Sequence, residues 1–195
     1  LTANAEVLSG TGNVTVLASG SLEFTSGAHV TTGGSGIGVN GAGGVEFAGA
    51  IETDNGLDFS TNVSGGNTAT LLGNASLQSN SGDVDFGTGN DVNINGGQTL
   101  TVTGDSGTVT LAGVGNDTAV TQLTVSGDVV VIEGVVNSTG GGSPAISVTE
   151  AGTAGDTLTI NGAMTASGDN ITLSSTGVLD INAAVEASAD ITPHP

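Results

Sequence analysis

The chain advances in short apolar-x-apolar steps. Val14/Val16, Leu22/Phe24, Val45/Phe47, Leu57/Phe59, Val84/Phe86 and Val92/Ile94 belong to the first half, and Leu100/Val102, Val109/Leu111, Leu123/Val125, Ile146/Val148, Leu158/Ile160, Ile171/Leu173 and Leu179/Ile181 to the second. A period of two buries one face of a strand and leaves the other in water. Between the steps lie clusters such as "TGN", "SGD" and "NGG", residues whose tolerance of positive φ makes tight corners. No stretch carries a 3.6-residue apolar stripe, so the pattern predicts an all-β chain without helices.

A longer repeat overlies the short one. "INGAMTASGDNITL", residues 160–173, returns 21 residues later as "INAAVEASADIT", with Ile181 in the place of Ile160. Aligned on the residue that ends a strand before a small turn, the units fall at Phe24, Phe47, Leu72, Ile94, Leu111, Ile132, Ile160 and Ile181, with separations of 23, 25, 22, 17, 21, 28 and 21. The mean of about 22 residues is a solenoid period, long enough for two or three short strands and one circuit of a parallel β-helix. The expectation is a single repeat domain over residues 1–191 with a terminal tail or linker start at 192–195. It would have roughly eight to nine coils and form a rod about 40 Å long at the ~4.8 Å strand spacing. A β-sandwich would show the same alternation, but normally with Trp or Tyr and longer strands; this chain has no Trp, no Tyr and four Phe.

Composition narrows the partners. Among 195 residues there are 19 acidic side chains, no Lys and no Arg, for a formal net charge of -19. No side-chain cation other than a protonated His can pair the carboxylates, so each must stay solvated or meet a cation from outside. Nucleic acid and anionic membrane surfaces require the cations this chain lacks. No apolar run approaches the ~20 residues of a membrane helix, so no membrane insertion is expected. With no Cys there is no disulfide or thiolate site. The chain starts at Leu1 without a charged stretch leading into an apolar one, and so reads as a mature protein or an excised segment.

The segments "GNVTVLASGSLEF" (12–24), "GGVEFAGAIETDNGLDF" (43–59) and "GDNITLSSTGVLDINAAVEAS" (168–188) resemble the degenerate repeats of filamentous haemagglutinin-type exoproteins, the β-helical bacterial surface adhesins and autotransporter passengers. The resemblance lies in repeat style along nearly the whole chain. It implies a right-handed β-helix on the outside of the cell, and carries no fixed active site. The absence of Lys and Arg departs from better-known members and argues against sulfated-glycan binding.

Three sharper chemistries have candidate residues in the chain. "GTGNDVNI" (87–94) and "GVGNDTAV" (113–120) echo calcium-binding nonapeptides, in which Gly makes the turn and Asp supplies oxygens. True β-rolls repeat this in tandem, so Asn90, Asp91, Asn116 and Asp117 read first as corner residues. Asp83, Asp85, Asp91 and Asp117 stand as the calcium candidates. The pairs Thr101/Thr103, Thr108/Thr110 and Thr157/Thr159 invite a water-ordering face, which needs the same pair in every coil. Glu46, Asp58 and Asp85 occupy wet positions elsewhere, so the threonines read as exposed strand formers. Catalysis on acidic polysaccharides would need Arg or Lys and aromatic platforms, and only His29 and His194 are available as imidazoles. No Gly-x-Ser-x-Gly elbow is present, and the expectation is a non-enzymatic structural rod of the cell exterior. Its expected partners are copies of itself stacked head to tail or the continuation of a longer chain, with a glycan- or receptor-binding module as the alternative.

Overall fold

The structure is a computed structural model that describes the backbone of residues 2–3, 6–9, 14–18, 22–32, 37–41, 45–59, 68–88, 92–141 and 143–194, with side chains described from Val45 to Pro193 within those ranges. Among the described residues every regular element is a strand, every pairing is parallel, and the architecture is an all-β parallel solenoid. From Val45 onward it makes about six turns, counted by the successive partners of Ile51 in the ladder that ends at Pro193.

Three ladders run along the solenoid. The first joins β1 (Thr2–Ala3) and the leading parts of β4 (Leu22–Thr32), β6 (Val45–Thr53) and β8 (Thr68–Ser79), and continues into β10 (Asn93–Asn95), β12 (Gly113–Val114), β14 (Val136–Ser138), β17 (Met164–Ala166) and β20 (Val185–Ala187). The second joins β2 (Glu6–Ser9), the trailing parts of β4, β6 and β8, and the leading parts of β11 (Thr99–Leu111) and β13 (Gln122–Ile132) to β15 (Ile146–Glu150), β18 (Ile171–Ser175) and β21 (Ile191–His194). The third takes β3 (Val14–Ala18), β5 (Ile37–Gly41), β7 (Leu57–Asp58), β9 (Val84–Asp85), the ends of β11 and β13, β16 (Thr157–Ile160) and β19 (Val178–Ile181).

The alternation read from the sequence sets the inside of this tube. Each apolar pair from Val45/Phe47 to Ile171/Leu173 has both members 2% exposed or less. Stacking turn on turn then lines up like residues, as in Leu100, Leu123, Ile146 and Ile171, and buries methyl groups in continuous rows. The rings of the described residues collect in one place: Phe59 meets Phe47 edge-on at 5.3 Å and stacks on Phe86 at 4.5 Å. Val14/Val16 and Leu22/Phe24 fall where only the backbone is described.

The long-repeat alignment slips between ladders. Phe24 and Phe47 pair in the first ladder and continue to Leu71, not Leu72, which is 49% exposed. Leu111, Ile132, Ile160 and Ile181 belong to the third. Ile94 of the first ladder and Leu111 of the third are both aliphatic residues close before a corner, so an aliphatic residue ahead of a turn does not by itself say which ladder is being followed. The boundary expected at residue 191 falls inside β21, whose Thr192, Pro193 and His194 align with Thr172, Leu173 and Ser174.

Corners are held by side chains and by close backbone approach. Gly96 has φ +132°, and a Cβ there would lie 2.6 Å from the Leu71 carbonyl oxygen of the preceding turn, so this corner requires glycine. Thr53 and Ser79, both fully buried, accept hydrogen bonds through Oγ1 and Oγ from the N–H groups of Asn55 (3.3 Å) and Gly82 (3.0 Å). Each turns an inward strand end into the cap of its own corner.

Candidate functional site

Asp83 and Asp85 flank the buried Val84 in and beside β9, and both are engaged locally. Asp83 Oδ1 accepts from the Thr108 N–H at 2.8 Å, and Asp85 Oδ1 accepts from the Gly87 N–H at 2.7 Å. Asp117 lies at another corner, between β12 and β13. There the Asp117 N–H donates to Asn95 Oδ1 at 2.8 Å, and Asn95 Nδ2 donates back to Asp117 Oδ2 at 3.4 Å. Asp91 lies outside the described residues. Among the described residues no three His, Asp or Glu side chains gather closely enough to hold a metal ion. What the third ladder does bring together is Asp58 and Asp85, direct neighbours on adjacent turns.

The most heavily engaged carboxylate is one the sequence reading passed over. Glu150 ends β15 with an inward side chain and is fully buried. Its Oε1 accepts from Gly152 N–H (2.6 Å) and Thr176 Oγ1 (3.1 Å), while Oε2 accepts from Ser175 Oγ (2.6 Å) and from the N–H groups of Thr176 and Gly177 (both 3.0 Å). Burial pushes this carboxyl's pKa up, and the donors from Ser175, Gly177, Thr176 and Gly152 overcome that, holding it below the usual glutamate value. The signal was its parity: Ile146, Val148 and Glu150 point the same way, and Glu150 aligns with Gly127 on one side and Ser175 on the other. Glu150 therefore acts as a larger version of the Thr53 and Ser79 caps, spanning two corners at once. At the same corner, backbone and side-chain donors of Thr153 lower the pKa of the half-exposed Asp156, against a smaller opposing effect of burial.

On the outside, the faces differ in chemistry. Glu46 stands on the first ladder, and Asp58 and Asp85 on the third. None shares a face with Thr101 and Thr103, which belong to the second. Thr108/Thr110 and Thr157/Thr159 are on the third ladder, where Val129 and Val131 interrupt them. The second ladder's wet face instead carries hydroxyl pairs turn after turn. Thr101, Thr124, Ser147 and Thr172 form one row. Thr103, Ser126, Thr149 and Ser174 form the row beside it. All eight are half-exposed, and Ser126 Oγ donates to Thr103 Oγ1 across a turn at 3.4 Å.

Comparisons with protein-family models, with characterised proteins and with solved structures return no match.

Proposed function

We propose that the chain is a structural, non-enzymatic rod of the cell exterior: a right-handed parallel β-helix of eight to nine coils of about 22 residues that forms part of an adhesin or stalk, or the subunit of an extracellular filament. The observation that carries this reading is the uninterrupted stacking of parallel strands: like inward residues follow one another from turn to turn, as Leu100, Leu123, Ile146 and Ile171 do in the second ladder and Leu111, Ile132 and Ile160 in the third, which is the build of a rod that grows by adding turns. Because every copy carries many carboxylates, end-to-end contact is opposed at low ionic strength and favoured by salt.

Small-angle scattering on the purified chain tests this. A rod about 40 Å long with a constant cross-section, lengthening as salt is raised, is the expected result. A compact particle would sink the rod. Rods that stay monomeric at every salt concentration would remove the filament subunit and leave a segment of a longer stalk.

A further inference from the structure

The wet face of the second ladder differs from the other two in one respect: from Thr101/Thr103 to Thr172/Ser174 both outward positions of four successive turns carry hydroxyls, with no ionised group at an outward strand position from Ser76 to Ser174. The carboxylates nearest it lie at corners, as Asp128 and Asp105 do, the latter accepting from Gln78 Nε2 at 3.3 Å, or inside the tube, as Glu150 does. The register is unbroken through this face, and the one shift in the β11–β13 pairing lies at the corner between Gly104 and Thr108. The hydroxyls therefore repeat in two directions, at about 4.8 Å from turn to turn and about 6.6 Å between the two rows. Five of the eight are threonines, whose β-branching restricts χ1 and sets the hydroxyl direction before any contact is made. Each hydroxyl donates one hydrogen bond and accepts others, and each threonine adds a methyl group to the surface.

A neutral array of donor-acceptor groups with a regular two-dimensional repeat matches a partner that is itself a neutral lattice of donor-acceptor groups. The geometry points to this face as an ice-binding surface, on which the two hydroxyl rows anchor ordered water that merges with the water lattice of an ice crystal. Carboxylates would defeat that role by holding hydration shells of their own, and none stands at an outward strand position among these rows. A carbohydrate partner would call for ring platforms, but the chain has no Trp or Tyr and Phe47, Phe59 and Phe86 are buried. Each water-mediated contact is weak, and their number along the turns makes adsorption to a crystal plane strong.

The test is direct and does not depend on whether the rod assembles. The chain, labelled at its amino terminus because it contains no Lys or Cys, is frozen slowly on a cooled probe, and its partition into ice is measured together with thermal hysteresis and crystal shape. The parent should enter the ice, shape the crystal into facets and depress growth. Thr124→Tyr and Ser147→Tyr, which put a bulky ring into the rows, should reduce all three to buffer level, while Thr159→Tyr on the third ladder should leave them unchanged. Thr124→Asp, a charge at a solvated strand position, should abolish the effect with the fold intact by circular dichroism. Exclusion of the parent from ice, or equal loss in Thr159→Tyr and Thr124→Tyr, would overturn the assignment. Co-sedimentation with crystalline cellulose or chitin without enrichment in ice would overturn it in favour of a polysaccharide surface.

Discussion

Glu150 and Ser175 occupy the same ladder position on successive turns, and the Ser175 hydroxyl donates to Glu150 Oε2 at 2.6 Å inside the solenoid. In a protein without Lys or Arg the buried carboxylate is satisfied wholly by hydroxyl and backbone donors, five of them from residues 152 and 175–177. It joins two corners that would otherwise each bury unsatisfied N–H groups.

Loss of that carboxylate should be costly, and more so at neutral than at acid pH. Glu150→Gln keeps the shape but replaces one acceptor oxygen with a donor facing other donors, at about 1–3 kcal/mol. The folded-state pKa of Glu150 lies below its ordinary value, so its contribution is complete above the unfolded value of about 4.3 and is lost as pH falls through the folded one. The gap in melting temperature between parent and variant should therefore be full at neutral pH and close on acidification. A gap that stayed constant down to about pH 3 would show that protonation of Glu150 plays no part.

Charge in the inward rows should be tolerated only where the row is already exposed. Ile160→Asp or Ile171→Asp buries a carboxylate where both side chains are fully enclosed, with no Lys or Arg to pair it, at a cost on the order of 3–5 kcal/mol. Ile181→Asp, in the same inward row as Ile160 but 43% exposed, should cost far less. Equal melting curves for the three variants would show that the last turn is covered in solution.

Two glycines separate backbone crowding from simple flexibility. A Cβ at Gly162 would overlap the carbonyl oxygen of Gly134 one turn below, whereas a Cβ at Gly155 meets nothing within 4 Å. Gly162→Ala should destabilise by roughly 1–3 kcal/mol through forced separation of the turns, and Gly155→Ala should be neutral or slightly stabilising through the unfolded chain. Chemical denaturation of the pair checks this, and a harmless Gly162→Ala would mean the turns lie farther apart at that corner.

Cations should act by screening. Asp58 and Asp85 are direct ladder neighbours of like charge, so moderate salt should raise the melting temperature. At matched ionic strength, calcium should do no more than sodium for the corners of Asp83, Asp85 and Asp117, each already engaged locally. A calcium-specific rise abolished by chelator would place a site elsewhere, and Asp91 would be the first residue to mutate.

Local sequence determined the strand type, the inward residues and the corner chemistry, because each rests on interactions within a few positions. Ile146, Val148 and Glu150 point inward by parity alone, and glycine-rich breaks mark the corners. Which strand lies beside which was decided only by the tertiary structure. Every turn contains three strands with the same alternation, and corner insertions vary the turn length, so Leu111 passed for the successor of Ile94 although they belong to different ladders. Ladder hydrogen bonds join backbone groups that are alike in nearly every residue and carry no local address; register is set by how the corners stack. That stacking decided that Glu46, Asp58 and Asp85 lie away from Thr101 and Thr103, that the hydroxyls of Thr124, Ser147 and Thr172 fall into one row, and that Glu150 meets Ser175.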